Sequence, residues 1–218
     1  MSINFSLVLP CYNEEKNIIF LCKEFLKLPI KNYKAELILV NNGSTDNTKS
    51  QILNMIKYNN KKSIVIKLVD LKKNKGYGGG IYEGLKHASG KYIGWSHADL
   101  QTPLSDYYKI YKLIKNQKNI FGKGFRVNNR KFDGIISYLH EKLATLILGV
   151  KMEEINAQPK IFNREQMRYF TKIPFNYTTI DTYVMYNCIK RKVRIKTINV
   201  VFKERKYGKS KWKNNLIN

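Results

Sequence analysis

Four times in its first half, this sequence passes from a short apolar, β-branched stretch into a turn-rich segment and then into a helical period. The strand patterns are Phe5–Leu9, Glu36–Val40, Ile64–Val69 and Lys91–Trp95. The helix patterns that follow them cover Glu14–Leu28, Asp46–Tyr58, Gly80–Ala88 and Pro103–Asn116. Strands alternating with helices can bury their apolar faces only as a mostly parallel sheet with right-handed crossovers and helices on both sides. The strands are apolar on both faces, as that arrangement requires.

The second half is less regular. It reads as a helix over Phe132–Val150, a strand-like segment over Ile155–Phe162, a helix over Thr179–Lys190 and a strand over Val193–Phe202, followed by the aperiodic Lys203–Asn218. No repeat, low-complexity linker or clear boundary divides the 218 residues, so one α/β domain is expected. Residues 1–118 form its regular half and 119–218 a smaller appended half.

The turn-rich segments PCYNEE, NNGSTDNT and SHADLQTP each follow a strand's carboxyl end, where open α/β sheets bind ligands. In the last of these, Asp99 sits just past an apolar strand. A carboxylate there either caps the helix that begins near Pro103 or holds Mg²⁺ or Mn²⁺ against phosphate oxygens. Asn42 both donates and accepts, so it suits several base edges and selects none. Asp46 serves equally as a helix cap. The glycines of NKGYGGG allow close backbone approach to a phosphate, but no Gly-Lys-Ser/Thr follows, and a helix-start loop explains them as well. In ERKYGKSKW, Arg205, Lys209, Ser210 and Lys211 surround Gly208. They form either a diphosphate-binding loop or a solvated basic tail.

Taken in order, VLPCYNEE, VNNGSTDNT, the Gly-rich segment with GLKHASGKYIGW, HADLQTP, NAQPKIF and RKYGKSKW resemble the family 2 glycosyltransferases of GT-A, Rossmann-like fold, closest to the dolichol-phosphate-mannose-synthase-like branch. The resemblance runs from about Phe5 to Lys211. It implies that Pro10, Tyr12, Glu14, Asn42 and Asp46 bind the nucleotide, that Asp99 holds the metal as the second Asp of the family's Asp-x-Asp motif, and that Gln101 follows it. It also implies that Arg205, Ser210 and Lys211 close on the diphosphate. Two positions depart from the pattern. His97 replaces the first Asp, and imidazole ligates Mn²⁺ more readily than Mg²⁺. Asn41-Asn42 replaces Asp-Asp, which leaves the base unassigned.

The implied reaction is an inverting transfer of a sugar from a nucleoside-diphosphate sugar to a polyprenyl phosphate or a glycan or lipid acceptor. A sugar hydroxyl must lose a proton, and Asp181 is the candidate base, or else a helix N-terminal charge. A polyprenyl phosphate is already ionised and needs no base. Lys123, Arg126 and Arg130 either grip an acceptor phosphate or form a solvated loop. Gln101, Asn156 and Gln158 are placed on the acceptor side.

The formal net charge of +24 attracts polyanions or reflects the joint enrichment in Lys, Asn, Ile and Tyr. Position favours the former: Lys190 to Asn218 holds eleven Lys or Arg against Glu204 alone. No zinc spacing, helix-turn-helix signature or RNP-like motif supports a nucleic-acid partner. A pyrophosphorylase is disfavoured because PCYNEE stands where its Gly-rich basic loop would be. His97 leaves open a relative with weakened or lost catalysis. Cys11, Cys22 and Cys188 read as free thiols of a reducing compartment. There is no secretory signal, and no apolar run reaches the roughly 18–20 residues of a membrane span. The amphipathic stretch over 135–150 and the basic tail suit a membrane surface. The expectation is a cytoplasmic enzyme at the inner face of the membrane. Members of the family often continue past this point into membrane helices.

Overall fold

The computed structural model describes residues 2–127, 133–170, 180–205 and 207, with side chains 133–136 left aside. Seven strands, β1 (Phe5–Cys11), β2 (Ala35–Asn42), β3 (Ile64–Leu71), β4 (Tyr92–Trp95), β5 (Ile120–Arg126), β6 (Lys160–Asn163) and β7 (Arg194–Val200), form one sheet in the order β3-β2-β1-β4-β6-β5-β7. The helices are α1 (Glu15–Leu26), α2 (Thr48–Tyr58), α3 (Gly76–Lys86), α4 (Leu104–Ile114), α5 (Asp133–Leu148) and α6 (Ile180–Lys190).

Period-two alternation explains the layers. Leu7 and Leu9 of β1 and Leu37 and Leu39 of β2 face a core closed by Ile18, Leu21 and Phe25 of α1 and Tyr107 and Tyr111 of α4. Val8, Ile38 and Val40 face the opposite core, with Ile81 and Leu85 of α3 and Val184 and Met185 of α6. Nearly all of β1 and β2 therefore leaves water on both faces, which is why these strands read as apolar runs.

The mostly parallel sheet matches the sequence reading, with local differences. The expected strand over Ile155–Phe162 is restricted to Lys160–Asn163 and runs antiparallel to both β4 and β5. Strand β5 carries too little apolar alternation to be read from sequence. Helix α3 begins at Gly76 rather than Gly80. Because β6 is reversed, Lys160 at its start pairs with Trp95 at the end of β4. The loop before β6 therefore reaches the same sheet edge as the carboxyl ends of the parallel strands. Strand β7 lies parallel to β5, with Val200 opposite Arg126, and delivers 201–205 to that edge too.

Candidate active site

The loops after β1 and β2 are laced into one floor. The Asn13 N–H donates to Ser44 Oγ (3.1 Å), the Thr45 N–H to Asn13 Oδ1 (2.8 Å) and the Glu14 N–H to Thr48 Oγ1 (2.8 Å). Asp46 accepts from Thr48 N (3.0 Å) and Glu15 N (3.2 Å), so it joins the starts of α1 and α2. Asn42, expected to face a base, has its amide engaged elsewhere. Oδ1 accepts from Lys75 N (2.9 Å), and Nδ2 donates to Gly76 O (2.9 Å) and Asn74 Oδ1 (3.2 Å). These bonds hold the Gly-rich loop to β2. The close approach needs Gly80, where a Cβ would lie 3.0 Å from Asn42 Nδ2 and 3.1 Å from Pro10 Cβ. Tyr12 is half-buried beside this floor.

Asp99 lies past the end of β4 with a side chain only 6% exposed. It does not cap α4, whose first N–H, Leu104 N, donates instead to Glu24 Oε1 of α1 at 2.7 Å. Its Oδ1 accepts from Gln101 N at 3.1 Å, a turn that puts Leu100 at φ 61. Its Oδ2 accepts from Arg205 Nη2 at 2.9 Å. Arg205 Nη1 also lies 3.9 Å from Glu14 Oε1, so one guanidinium stands between carboxylates from the β1 and β4 ends. Burial pushes the Glu14 carboxyl up to about 7, opposed by its Asn17 hydrogen bond and by Arg205, and reinforced by Asp99 and Asp46. An open cavity of about 180 Å³ adjoins this group, lined by Glu14, Asp46 and Tyr207 among others.

His97 Nδ1 is 3.9 Å from Asp99 Oδ2 and is buried without a hydrogen-bond partner. Burial holds the imidazole below its usual range against the pull of Asp99 and Asp181, so the ring is neutral near pH 7 and keeps a lone pair. An orphaned imidazole nitrogen beside a shielded carboxylate is a donor set that fits Mn²⁺ with phosphate oxygens and water completing it. Among the described residues no cluster of three or more His, Cys, Asp or Glu side chains is placed to hold a metal.

Across the sheet edge from these residues, Asp181 lies in the first turn of α6. Its Oδ1 meets Lys160 Nζ at 2.7 Å and accepts from Trp95 Nε1 and Gln158 Nε2, each at 3.2 Å. Gln158 Nε2 also donates to Tyr77 Oη at 3.0 Å, which ties the β6 entry to α3. Asn156 is half-buried in the same loop. Lys123 is buried, and its Nζ donates to the carbonyls of Glu153 and Glu154. Burial pushes its ammonium down to about 8, with Lys160 adding to the effect. That corrects both alternatives the sequence offers, since the side chain is neither solvated nor open to an acceptor: both contacts fix a turn. Arg126 pairs through Nε with Glu154 Oε2 and lies 5.7 Å from the Phe202 ring centroid. Arg130, Lys209, Ser210 and Lys211 lie outside the described residues. Lys160 and Trp95 carry no local signal in the sequence, because only the reversed β6 brings them together. All three cysteines are buried free thiols, and burial pushes the Cys11 thiol well up, away from nucleophile chemistry.

The model of the glycosyl transferase family 2 matches residues 6–189. The chain is 28% identical over 167 residues to a dodecaprenyl-phosphate galacturonate synthase of Rhizobium johnstonii, covering 74% of this chain and 48% of that protein. It is 31% identical over 183 residues to a dolichyl-phosphate beta-glucosyltransferase of Trichomonas vaginalis, covering 77% of this chain and 55% of that protein. The chain thus spans about half the length of these curated relatives. Among solved structures it superposes on a Pyrobaculum calidifontis mannosyltransferase in complex with GDP-Man and Mn²⁺, with TM-score 0.69, 17% identity and coverage of 95% of this chain and 59% of that one. It also superposes on the glucosyl-3-phosphoglycerate synthase of Mycobacterium tuberculosis with Mg²⁺ and UDP, with TM-score 0.70, 17% identity and coverage of 98% and 74%. The fold is GT-A.

Proposed function

Because the chain belongs to glycosyl transferase family 2, we propose that it moves a sugar, with inversion, from a nucleoside-diphosphate sugar to a polyprenyl phosphate in a metal-dependent reaction. The observation that carries this reading is the shielded Asp99 carboxylate with the orphaned His97 Nδ1 beside it, at the edge where both halves of the sheet deliver their loops. Residues 1–118 would bind the nucleotide, and 119–218 would supply the acceptor half and the basic loop that closes on the diphosphate.

Asp99 and His97 would hold Mn²⁺, or less readily Mg²⁺. The bound cation would offset charge developing on the departing diphosphate. Arg205 would donate a charge-assisted pair of hydrogen bonds to diphosphate oxygens. Pro10, Tyr12 and Glu14 would border the nucleotide, on a floor that Asp46 and Asn42 hold together. Ser210 and Lys211 would extend the basic loop. Gln158 and Asn156 border the acceptor side, with Arg126 behind them. The polyprenyl-phosphate acceptor is supported by the relatives named above, and a phosphate is already a nucleophile. On this reading Asp181 acts as counter-ion to Lys160 rather than as base.

A lipid acceptor implies contact with a membrane. The outward face of α5 supports it: Leu139, Leu143, Leu146 and Ile147 are 56–80% exposed, while Ala144 faces inward. Among the described residues no helix is long and apolar enough to cross a membrane. A peripheral position at the cytoplasmic face fits that surface.

Thermal-shift screening of UDP-, GDP- and CDP-sugars with Mn²⁺ or Mg²⁺ tests the donor class. One base should raise the melting temperature by mass action, and more with Mn²⁺. No shift with any donor would sink the reading.

A further inference from the structure

Lys203 and Gln101 hold each other by two hydrogen bonds. The Lys203 N–H donates to Gln101 O at 2.9 Å, and Gln101 Nε2 donates to Lys203 O at 2.9 Å. Two residues before Gln101 stands Asp99, and two residues after Lys203 stands Arg205. The clamp therefore registers the returning chain against the turn that carries the carboxylate, and so brings Arg205 to Asp99. The turn itself is closed by the Gln101 N–H to Asp99 Oδ1 bond at 3.1 Å.

We infer that Arg205 and the metal ion compete for Asp99, and that Gln101 is the positioning residue that gives Arg205 its hold; this rests on the proposed metal-holding role of Asp99. A carboxylate only 6% exposed needs a cation close by, because an uncompensated buried charge is costly. Arg205 supplies that cation at 2.9 Å. Its guanidinium is 26% exposed, so one side of it borders solvent, where a diphosphate can meet it. A nucleoside diphosphate offers it a matching set of oxygens. Once Arg205 moves to the diphosphate, Asp99 is left for the metal. Metal and donor then favour each other's binding through one shared partner, a coupling between two ligands that requires no second conformation of the sheet.

The test uses the whole chain and Mn²⁺ alone, titrated by the loss of the free-ion electron paramagnetic resonance signal, so it needs no activity. Arg205→Ala should bind Mn²⁺ about tenfold more tightly than the unaltered protein, with Arg205→Lys in between. Gln101→Ala should shift in the same direction by a smaller factor, and Asp99→Asn should lose the site. Unchanged or weaker binding in Arg205→Ala, with Asp99→Asn still deficient, overturns the competition and leaves the metal role of Asp99 standing. Weaker binding in Gln101→Ala overturns its role as a clamp. Equal binding by Asp99→Asn, or none by any variant, defeats the metal reading itself and this inference with it.

Discussion

Lys160 Nζ lies 2.7 Å from Asp181 Oδ1, and the two side chains are 0% and 4% exposed. The ammonium also donates to Ala157 O at 3.0 Å and stands 5.8 Å from the Trp95 ring centroid. Breaking such a pair from one side strands a buried charge. Asp181→Asn should therefore cost about 3–5 kcal/mol in urea denaturation, and combining it with Lys160→Met should recover most of the loss. A fully stable Asp181→Asn protein would show that the pair is not what holds α6 to β6.

Glu14 gives the site a pH dependence of known sign. Its carboxyl is raised from 4.5 to about 7 in the folded chain, chiefly by burial. The folded protein therefore holds this proton more tightly than the unfolded one. The resulting stability is full below 4.5 and is lost as pH rises through about 7. Glu14→Gln should be more stable than the unaltered protein at pH 8, by about 1–3 kcal/mol, with the difference gone at pH 4.5. Melting curves across that range check it, and a gap that widens toward acid would reverse the assignment.

The outward leucines of α5 should matter for lipid and not for donor. Replacing Leu143 and Leu146 by Ser removes two exposed apolar side chains, 56% and 80% accessible, from that face. Co-sedimentation with anionic phospholipid vesicles should fall about tenfold or more, while donor-induced thermal shifts stay unchanged. Undiminished sedimentation would place membrane contact elsewhere.

At Gly94, β4 runs tightly against the backbone of β6. A Cβ there would lie 1.8 Å from Lys160 O and 2.7 Å from Ile161 Cα. Gly94→Ala should cost at least about 3 kcal/mol or prevent folding, since backbone rather than a side-chain tip must move. Circular dichroism with denaturant titration would measure it, and a cost below about 1 kcal/mol would mean the strands can spread.

Strands β1 and β2 announce themselves because Leu7, Val8 and Leu9, like Leu37, Ile38 and Leu39, bury both faces. Strand β5 hides because Gly122 and Gly124 replace the side chains that carry a period. A Cβ at Gly122 would stand 2.2 Å from Ile110 Cγ2, and one at Gly124 2.2 Å from Gln158 O, so packing demands glycine where pattern demands an apolar residue. Strand β6 falls largely within the strand-like segment Ile155–Phe162, but its direction is hidden: antiparallel pairing is a property of where the chain returns, not of four residues. The Asp99 and Glu14 positions were legible from their place at strand ends. Lys160, and the engagement of Asn42 with the Gly-rich loop, required the third dimension.

The most direct test of the account is sugar transfer from the donor selected by thermal shift to a polyprenyl phosphate, with Mn²⁺, by the unaltered protein and by Asp99→Asn. The account predicts transfer by the former and a loss of about 10²–10³-fold in the variant with its melting temperature kept. Equal rates for the two proteins would contradict it.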